Sequence, residues 1–337
     1  MKKTKILSVL SLFAFLLLFS VTLLSCAPKK TTAERIADGE SVRIGVLQYM
    51  RHPSLDNCYS GIRAALDASG IRYDIDYQVG SDNAAYTDCT NYAQNMVASG
   101  CDLIIAIATP AAACAYAAAE NTDIPVVFCA VSDPVGEKLT ESLEKPGDLC
   151  TGTCDVLDLK AQLNLIRAFQ PEVKSIGVIY TSSEGNSLTN LKNFREICEN
   201  AGIEVIAAPV QSAADVPAAA ESVASRADCI NNFTDNNVVN NLAVVLDAAE
   251  RYGIPVYGSE EEQVKNGCLA SVSIDYVSLG RVTGEMAADI LRGADAATMP
   301  VRKITDATPV VNTGVMKKYG YTLPVGYGDV RTVPSED

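Results

Sequence analysis

Two doubly wound α/β lobes are the architecture this chain predicts, and three observations carry the prediction. The chain has 337 residues, about twice the ~150 residues of a typical domain, so two bodies are expected. From residue 42 onward, β-type apolar runs alternate with amphipathic helical stretches, the signature of parallel sheets with covering helices. The alternation comes as two series of similar length. Between them, at 131–154, Asp133-Pro134 and Pro146-Gly147 interrupt the pattern.

Residues 1–26 read as an address. Lys2, Lys3 and Lys5 precede an apolar run from Ile6 to Leu24, a charged segment followed by a hydrophobic one. The run ends in Leu23-Leu24-Ser25-Cys26, which resembles a bacterial lipobox in which the cysteine becomes the lipidated first residue. A retained transmembrane helix is the alternative, since ~19 residues could span a bilayer. The position of Cys26 and the polar stretch behind it favour the lipoprotein. Residues 27–40 are poor in apolar side chains and rich in charge, and are expected to form a tether.

The first series has candidate strands at 42–48, 73–79, 102–108 and 125–130, with helical stretches near 56–69, 84–99 and 110–120. In the second of these helices Cys89, Ala93, Met96 and Val97 form one apolar stripe. The second series opens with a helix at 158–169, where Leu159, Leu163, Ile166 and Phe169 recur at helical spacing. Strands at 175–180, 203–208, 228–233, 254–257 and 269–273 follow, with helices near 187–200, 214–226, 236–252 and 276–292. Gly70, Gly100, Gly202 and Gly253 stand at four element ends, where a left-handed residue is wanted.

Composition narrows the function. The net charge is −14, so nucleic acid and anionic membrane surfaces are poor partners. With a single His in the chain, a multi-histidine metal site is ruled out, and no cofactor is expected. Eleven cysteines in an exported chain would ordinarily indicate disulfides. No CxxC occurs, however, and Cys150 and Cys154, if they share a strand, stand roughly 13 Å apart, beyond disulfide reach. Several other cysteines occupy core-like positions, so small buried hydrophobes are the expected reading.

In doubly wound lobes, ligands collect beyond the carboxyl ends of the strands. DLIIAIA runs into Thr109-Pro110-Ala111, a helix start that either is simply well capped or offers free N–H groups to an anion. SIGVIY runs into Thr181-Ser182-Ser183-Glu184-Gly185-Asn186-Ser187, which has more hydroxyls than a local cap needs. No Gly-Lys-Ser/Thr follows, so this is not a nucleotide loop. Asp235 and Asp275 each begin a helical pattern; each is an N-cap, and either could also pair with a ligand cation. The first strand ends in Gln48-Tyr49, followed by His52-Pro53-Ser54. Tyr49 could offer a flat apolar face. His52 has no evident catalytic partners, and GxSxG, GxGxxG, HExxH and EF-hand patterns are absent, so no enzyme is expected.

Six segments, IGVLQYMRHPSLD (44–56), IAIATPAA (105–112), DIPVVFCAVSDPVG (123–136), IGVIYTSSEGNS (176–187), FTDNNV (233–238) and SIDY (273–276), occur in order with fitting spacing. Together they resemble the substrate-binding lipoproteins of ABC importers that bind tryptophan or related aromatic amino acids. The resemblance implies a periplasmic-binding-protein type I fold, two Rossmann-like lobes joined by three hinge crossings. Lobe 1 would be 41–132 plus 274–305 and lobe 2 would be 133–273 plus 306–337. Thr109, Pro110 and Ala111 would receive a ligand carboxylate, with Ser182, Ser183 and Ser187 completing the clamp. Asp275 would hold the α-ammonium, with Asp235 or Asn236 close by, and Gln48, Tyr49 and Pro53 would line the side-chain pocket.

The function implied is capture of an amino acid without chemistry, by a monomer anchored through Cys26, for delivery to an ABC permease and its ATPase. Alternatives are a sensory module on the same fold, or a receptor for another solute such as a nucleoside or sugar.

Overall fold

A computed structural model describes residues 30–82, 85–304, 308–328 and 330–334. Cys26 and the leader lie outside the described residues. Among the described residues, no helix is long and apolar enough to cross a membrane.

Lobe 1 is a six-stranded parallel sheet built from β1 (Val42–Gln48), β2 (Tyr73–Val79), β3 (Leu103–Ile107), β4 (Val126–Cys129), β5 (Cys150–Cys154) and β11 (Arg302–Lys303). The strands lie in the order β2-β1-β3-β4-β5-β11. Every residue of β3 is buried, as a central parallel strand covered on both faces must be. The covering helices are α2 (Pro53–Ser69), α3 (Ala85–Ala98), α4 (Thr109–Ala119) and α11 (Tyr276–Leu291). Helices α2 and α11 cross at backbone contact, because Gly61, Gly280 and Gly284 remove the side chains in between. A Cβ on Gly280 would fall 2.0 Å from the Cys58 carbonyl oxygen.

In lobe 2, β6 (Ser175–Thr181), β7 (Glu204–Val210), β8 (Cys229–Asn231) and β9 (Val256–Tyr257) form a parallel sheet in the order β7-β6-β8-β9. Two backbone hydrogen bonds, Leu269 N to Val256 O and Gly258 N to Ala270 O, join it to β10 (Ala270–Ser273). Beyond β10 come β12 (Thr308–Asn312) and β13 (Arg331–Val333). One face is covered by α5 (Leu159–Phe169) and α6 (Gly185–Asn200), whose Leu163, Phe169 and Phe194 share a core with Tyr257. The other face carries α7 (Val216–Ala224) and α9 (Leu242–Arg251), which bury Ala220 and Val245. The single helix expected at 236–252 is two, α8 (Asn236–Asn240) and α9, broken at Asn241, whose amide donates to the Asn237 carbonyl. A short α10 (Glu261–Lys265) follows β9, and α12 (Thr313–Lys318) follows β12.

Two boundaries differ from expectation. The second lobe was to begin at 133, but β5 pairs with β4 in the first sheet. The preceding loop is also tied to lobe 1 by Gly147 N to Ala297 O and Val301 N to Leu143 O. The chain therefore leaves lobe 1 after Cys154, returns after Ser273, and crosses again between β11 and β12. The 27–40 stretch is not tether throughout, since Thr32–Ala37 forms helix α1. Thr31 and Glu34 make its capping box, and Arg35 binds Asp102 at 2.6 Å. All ten cysteines of the described residues are free and buried, as core hydrophobes.

Candidate functional site

The carboxyl ends of the two sheets face each other across a narrow cleft, a cavity whose free space is about 20 Å³ as the lobes stand. In lobe 1 the strand order reverses between β1 and β3, and in lobe 2 between β6 and β8. The segments leaving those strands supply most of the wall, as the switch-point rule requires. His52 and Leu55 come from behind β1, Ala108 and Thr109 from β3, Ala130 and Ser132 from β4, and Asp155 from β5. Lobe 2 contributes Asn186 from the start of α6, Thr234 and Asn236 from behind β8, Val239 on α8, and Glu260 from behind β9. Tyr276 closes the ring from the first turn of α11.

The wall is polar, buried and short of partners. His52 Nδ1, Thr109 Oγ1, Asn186 Oδ1 and Thr234 Oγ1 are buried without a hydrogen-bond partner in the protein. Buried polar atoms are ordinarily paired, so four on one cavity mark a place where a polar ligand would pair them. Ala108 (φ 81°) and Ala130 (φ 58°) hold left-handed backbone at the ends of β3 and β4, a strain non-glycine residues keep where the surroundings impose it. At α4, Pro110 has no N–H and Ala112 already bonds Ala108 O. The first-turn amides left for an anion are those of Thr109 and Ala111.

Acids, not bases, supply the charge, for no Lys or Arg is among the lining residues. Asp155 is 3% exposed. Its Oδ1 accepts from Ser132 Oγ at 2.9 Å and its Oδ2 from Tyr276 OH at 3.0 Å, yet burial still pushes its carboxyl up to about 6. Burial pushes Glu260 up to about 7. Behind the wall, burial and then the charge of Asp235 hold Glu184 well above the usual carboxylate range.

The lobes touch through polar side chains. His52 Nε2 and Asn236 Oδ1 lie 3.2 Å apart, and Asn236 Nδ2 donates to Glu184 at 2.6 Å. Asn57 donates to Glu262 at 3.2 Å. Burial lowers His52 to about 4, so it is neutral in this closed arrangement.

Of the residues singled out from sequence, Thr109 and Asn236 line the cavity. Pro110 and Ala111 are buried in the first turn of α4. Pro53 is exposed at a rim groove beside Val239 and Leu242. Gln48 stands behind the wall, donating to Met50 O and Asp56 and accepting from Tyr77 OH, and so fixes the loop after β1. Tyr49 is buried next to Glu184 without reaching the cavity, and burial raises its phenol.

Five residues stand otherwise than expected. Asp235 takes the Thr181 amide and hydroxyl, Ser187 Oγ and Val238 N, so its lone pairs are already filled. Ser187 is spent on that carboxylate. Ser182 and Ser183 are exposed, because the turn after β6 swings outward, where Ser182 Oγ bonds Val210 O. Asp275 is exposed too, capping α11 through Val277 N and Ser278 N on a groove outside the cavity. Asp155, Ser132, Glu260 and Tyr276 were not singled out. Asp155 follows a strand that carries no apolar run, so the one available signal was an acid just after Cys154.

These features define a class, a two-lobed hinged receptor that encloses a small polar solute. The chain belongs to the ABC transporter substrate-binding protein family, whose pattern it matches over residues 43–325. It is 34% identical over 278 residues to a tyrosine-binding protein of Clostridioides difficile, covering 81% of this chain and 79% of that one. A Streptococcus structure in complex with L-Trp is 33% identical and superimposes with a TM-score of 0.84, covering 87% of this chain and all of that one. A ligand-free, open substrate-binding protein from Clostridium difficile, also 33% identical, covers 88% of this chain and all of that one but reaches only 0.66. This chain thus superimposes better on the L-Trp complex than on the ligand-free, open structure.

Proposed function

We propose that the protein is the extracytoplasmic, lipid-anchored receptor of an ABC importer, and that it captures an aromatic α-amino acid and releases it unaltered to the permease. The observation that carries this is the enclosed wall of unpartnered polar atoms beside a helix start and buried acids. A carboxylate would lie at the Thr109 and Ala111 amides, where N–H groups and the helix dipole favour negative charge without a basic side chain. Leu55 and Val239, one from each lobe, are the apolar walls offered to a side chain. The tyrosine-binding relative and the L-Trp complex support an aromatic ring. The sequence at Cys26 supports the anchor.

The test is mass spectrometry of the small molecules released when the purified protein is denatured, followed by calorimetry on the refolded protein. An aromatic amino acid in the released fraction, and saturable heat with tyrosine, tryptophan or phenylalanine, is the expected result. A different solute in that fraction and no heat with all three would replace the reading. The chain has no Trp, so added tryptophan can be followed by its own emission.

A further inference from the structure

We propose that Asp155 seats the ligand's ammonium group and, through Tyr276, ties that charge to two of the chain's crossings between the lobes. The inference rests on the amino-acid reading above and names the residue which that reading leaves open.

Four acids stand near the cavity and three are poorly placed for a ligand cation. Asp235 is saturated by four donors. Glu184 is not a lining residue, and one of its oxygens already takes Asn186 and the amide and side chain of Asn236. Glu260 lines the cavity but also two grooves outside it, and accepts from Gln263. Asp155 borders the cavity alone among these spaces. Each of its oxygens takes one neutral hydroxyl, from Ser132 and Tyr276, which leaves a lone pair on each. A buried carboxyl held partly protonated by desolvation is one that an ammonium partner would ionise.

The spacing fits. Strands β3, β4 and β5 are neighbours, so the segments bearing Thr109 and Asp155 leave the sheet about 10 Å apart. An α-amino acid with one hydrogen bond at each charged end spans about 9 Å. Between them β4 continues into Ala130 and Ser132, both small.

Asp155 is also the first residue of the first crossing, and Tyr276 follows directly on the second. The third crossing begins beside them, with Ile304 N donating to Cys154 O at 3.4 Å. A charge arriving at Asp155 therefore acts where the lobes pivot.

Calorimetry with L-tyrosine and with 3-(4-hydroxyphenyl)propionate, which lacks only the amino group, separates the possibilities. The unaltered protein should prefer tyrosine by about 100-fold, the scale of a buried charge-assisted hydrogen bond. Asp155→Asn should lose that preference, and Glu260→Gln should keep it. Should Asp155→Asn not fold, Asp155→Glu carries the test: the preference should fall at least tenfold, since the charge moves by one methylene. A preference that survives in the Asp155 variants overturns the assignment alone. No binding of any aromatic amino acid by the unaltered protein overturns the amino-acid reading and the assignment with it.

Discussion

Asp235 and Asp275 have the same local task, since each opens a helix and accepts amide hydrogens from its first turn. Their surroundings differ completely. Asp235 is fully buried and binds β6, α6 and α8 to one carboxylate, whereas Asp275 stands in solvent. Asp235→Ala would strand four buried donors and should cost about 3 kcal/mol or more, read by urea denaturation. Asp275→Ala should cost about 1 kcal/mol, the worth of one cap, and leave tyrosine affinity unchanged in calorimetry. A tenfold loss of affinity would return Asp275 to the binding site. Both caps were legible in the sequence, because an Asp ahead of a helical pattern states its own role. The direction in which each carboxylate faces was not legible, because it depends on how the preceding strand end turns relative to the other lobe. The same holds for Ser182 and Ser183, hydroxyl-rich but turned outward.

Elements with an apolar run were legible nearly to the residue: β1 and β2 occupy 42–48 and 73–79, as periodicity predicts. Strand β5 was missed because CTGTC has no such run, and its pairing is dictated by the neighbour instead. A Cβ on Gly152 would fall 2.0 Å from the Phe128 carbonyl oxygen, so the strand lies against β4 only with glycine there. Missing β5 also hid Asp155 and moved the lobe boundary. Short edge strands and α1 were missed for a similar reason, since their order comes from tertiary anchors such as Arg35 on Asp102. The α2–α11 crossing is the most exacting of these packings. Gly280→Ala would push α2 and α11 apart and should cost about 3 kcal/mol in denaturant unfolding, at the upper end of what overpacking costs. A variant as stable as the original would mean that the helices are not in backbone contact.

At the scale of the whole molecule, the closed form brings buried acids and His52 together with opposite responses to pH. Glu260 sits near 7 when folded and about 4.3 when unfolded. Its protonated form therefore stabilises the fold at low pH, and that contribution, on the order of 3 kcal/mol, is lost as pH rises through 7. Burial raises Glu184 in the same direction. His52, lowered to about 4, works the other way: acid below about 6.5 protonates the unfolded chain first and destabilises the fold. Above about pH 6.5 only the acids remain in play, so the melting temperature of the ligand-free protein should fall from pH 6.5 to 8, and Glu260→Gln should flatten that limb. A flat profile over the same interval would mean that these carboxyls are already ionised in the fold. The His52–Asn236 contact belongs to lobe closure in particular, because it joins one lobe to the other. Opening the cleft would return both groups to water, so the contact favours the closed form by about 1 kcal/mol. His52→Ala should therefore lower tyrosine affinity about fivefold with little change in ligand-free stability at pH 8, where the imidazole carries no charge in either state. Small-angle scattering gives the matching observable: tyrosine should reduce the radius of gyration of the unaltered protein, and should need about five times the concentration to do so in the variant. If the radius is the same with and without ligand, capture does not proceed by closure of the lobes, and the contact is a fixed part of one rigid body.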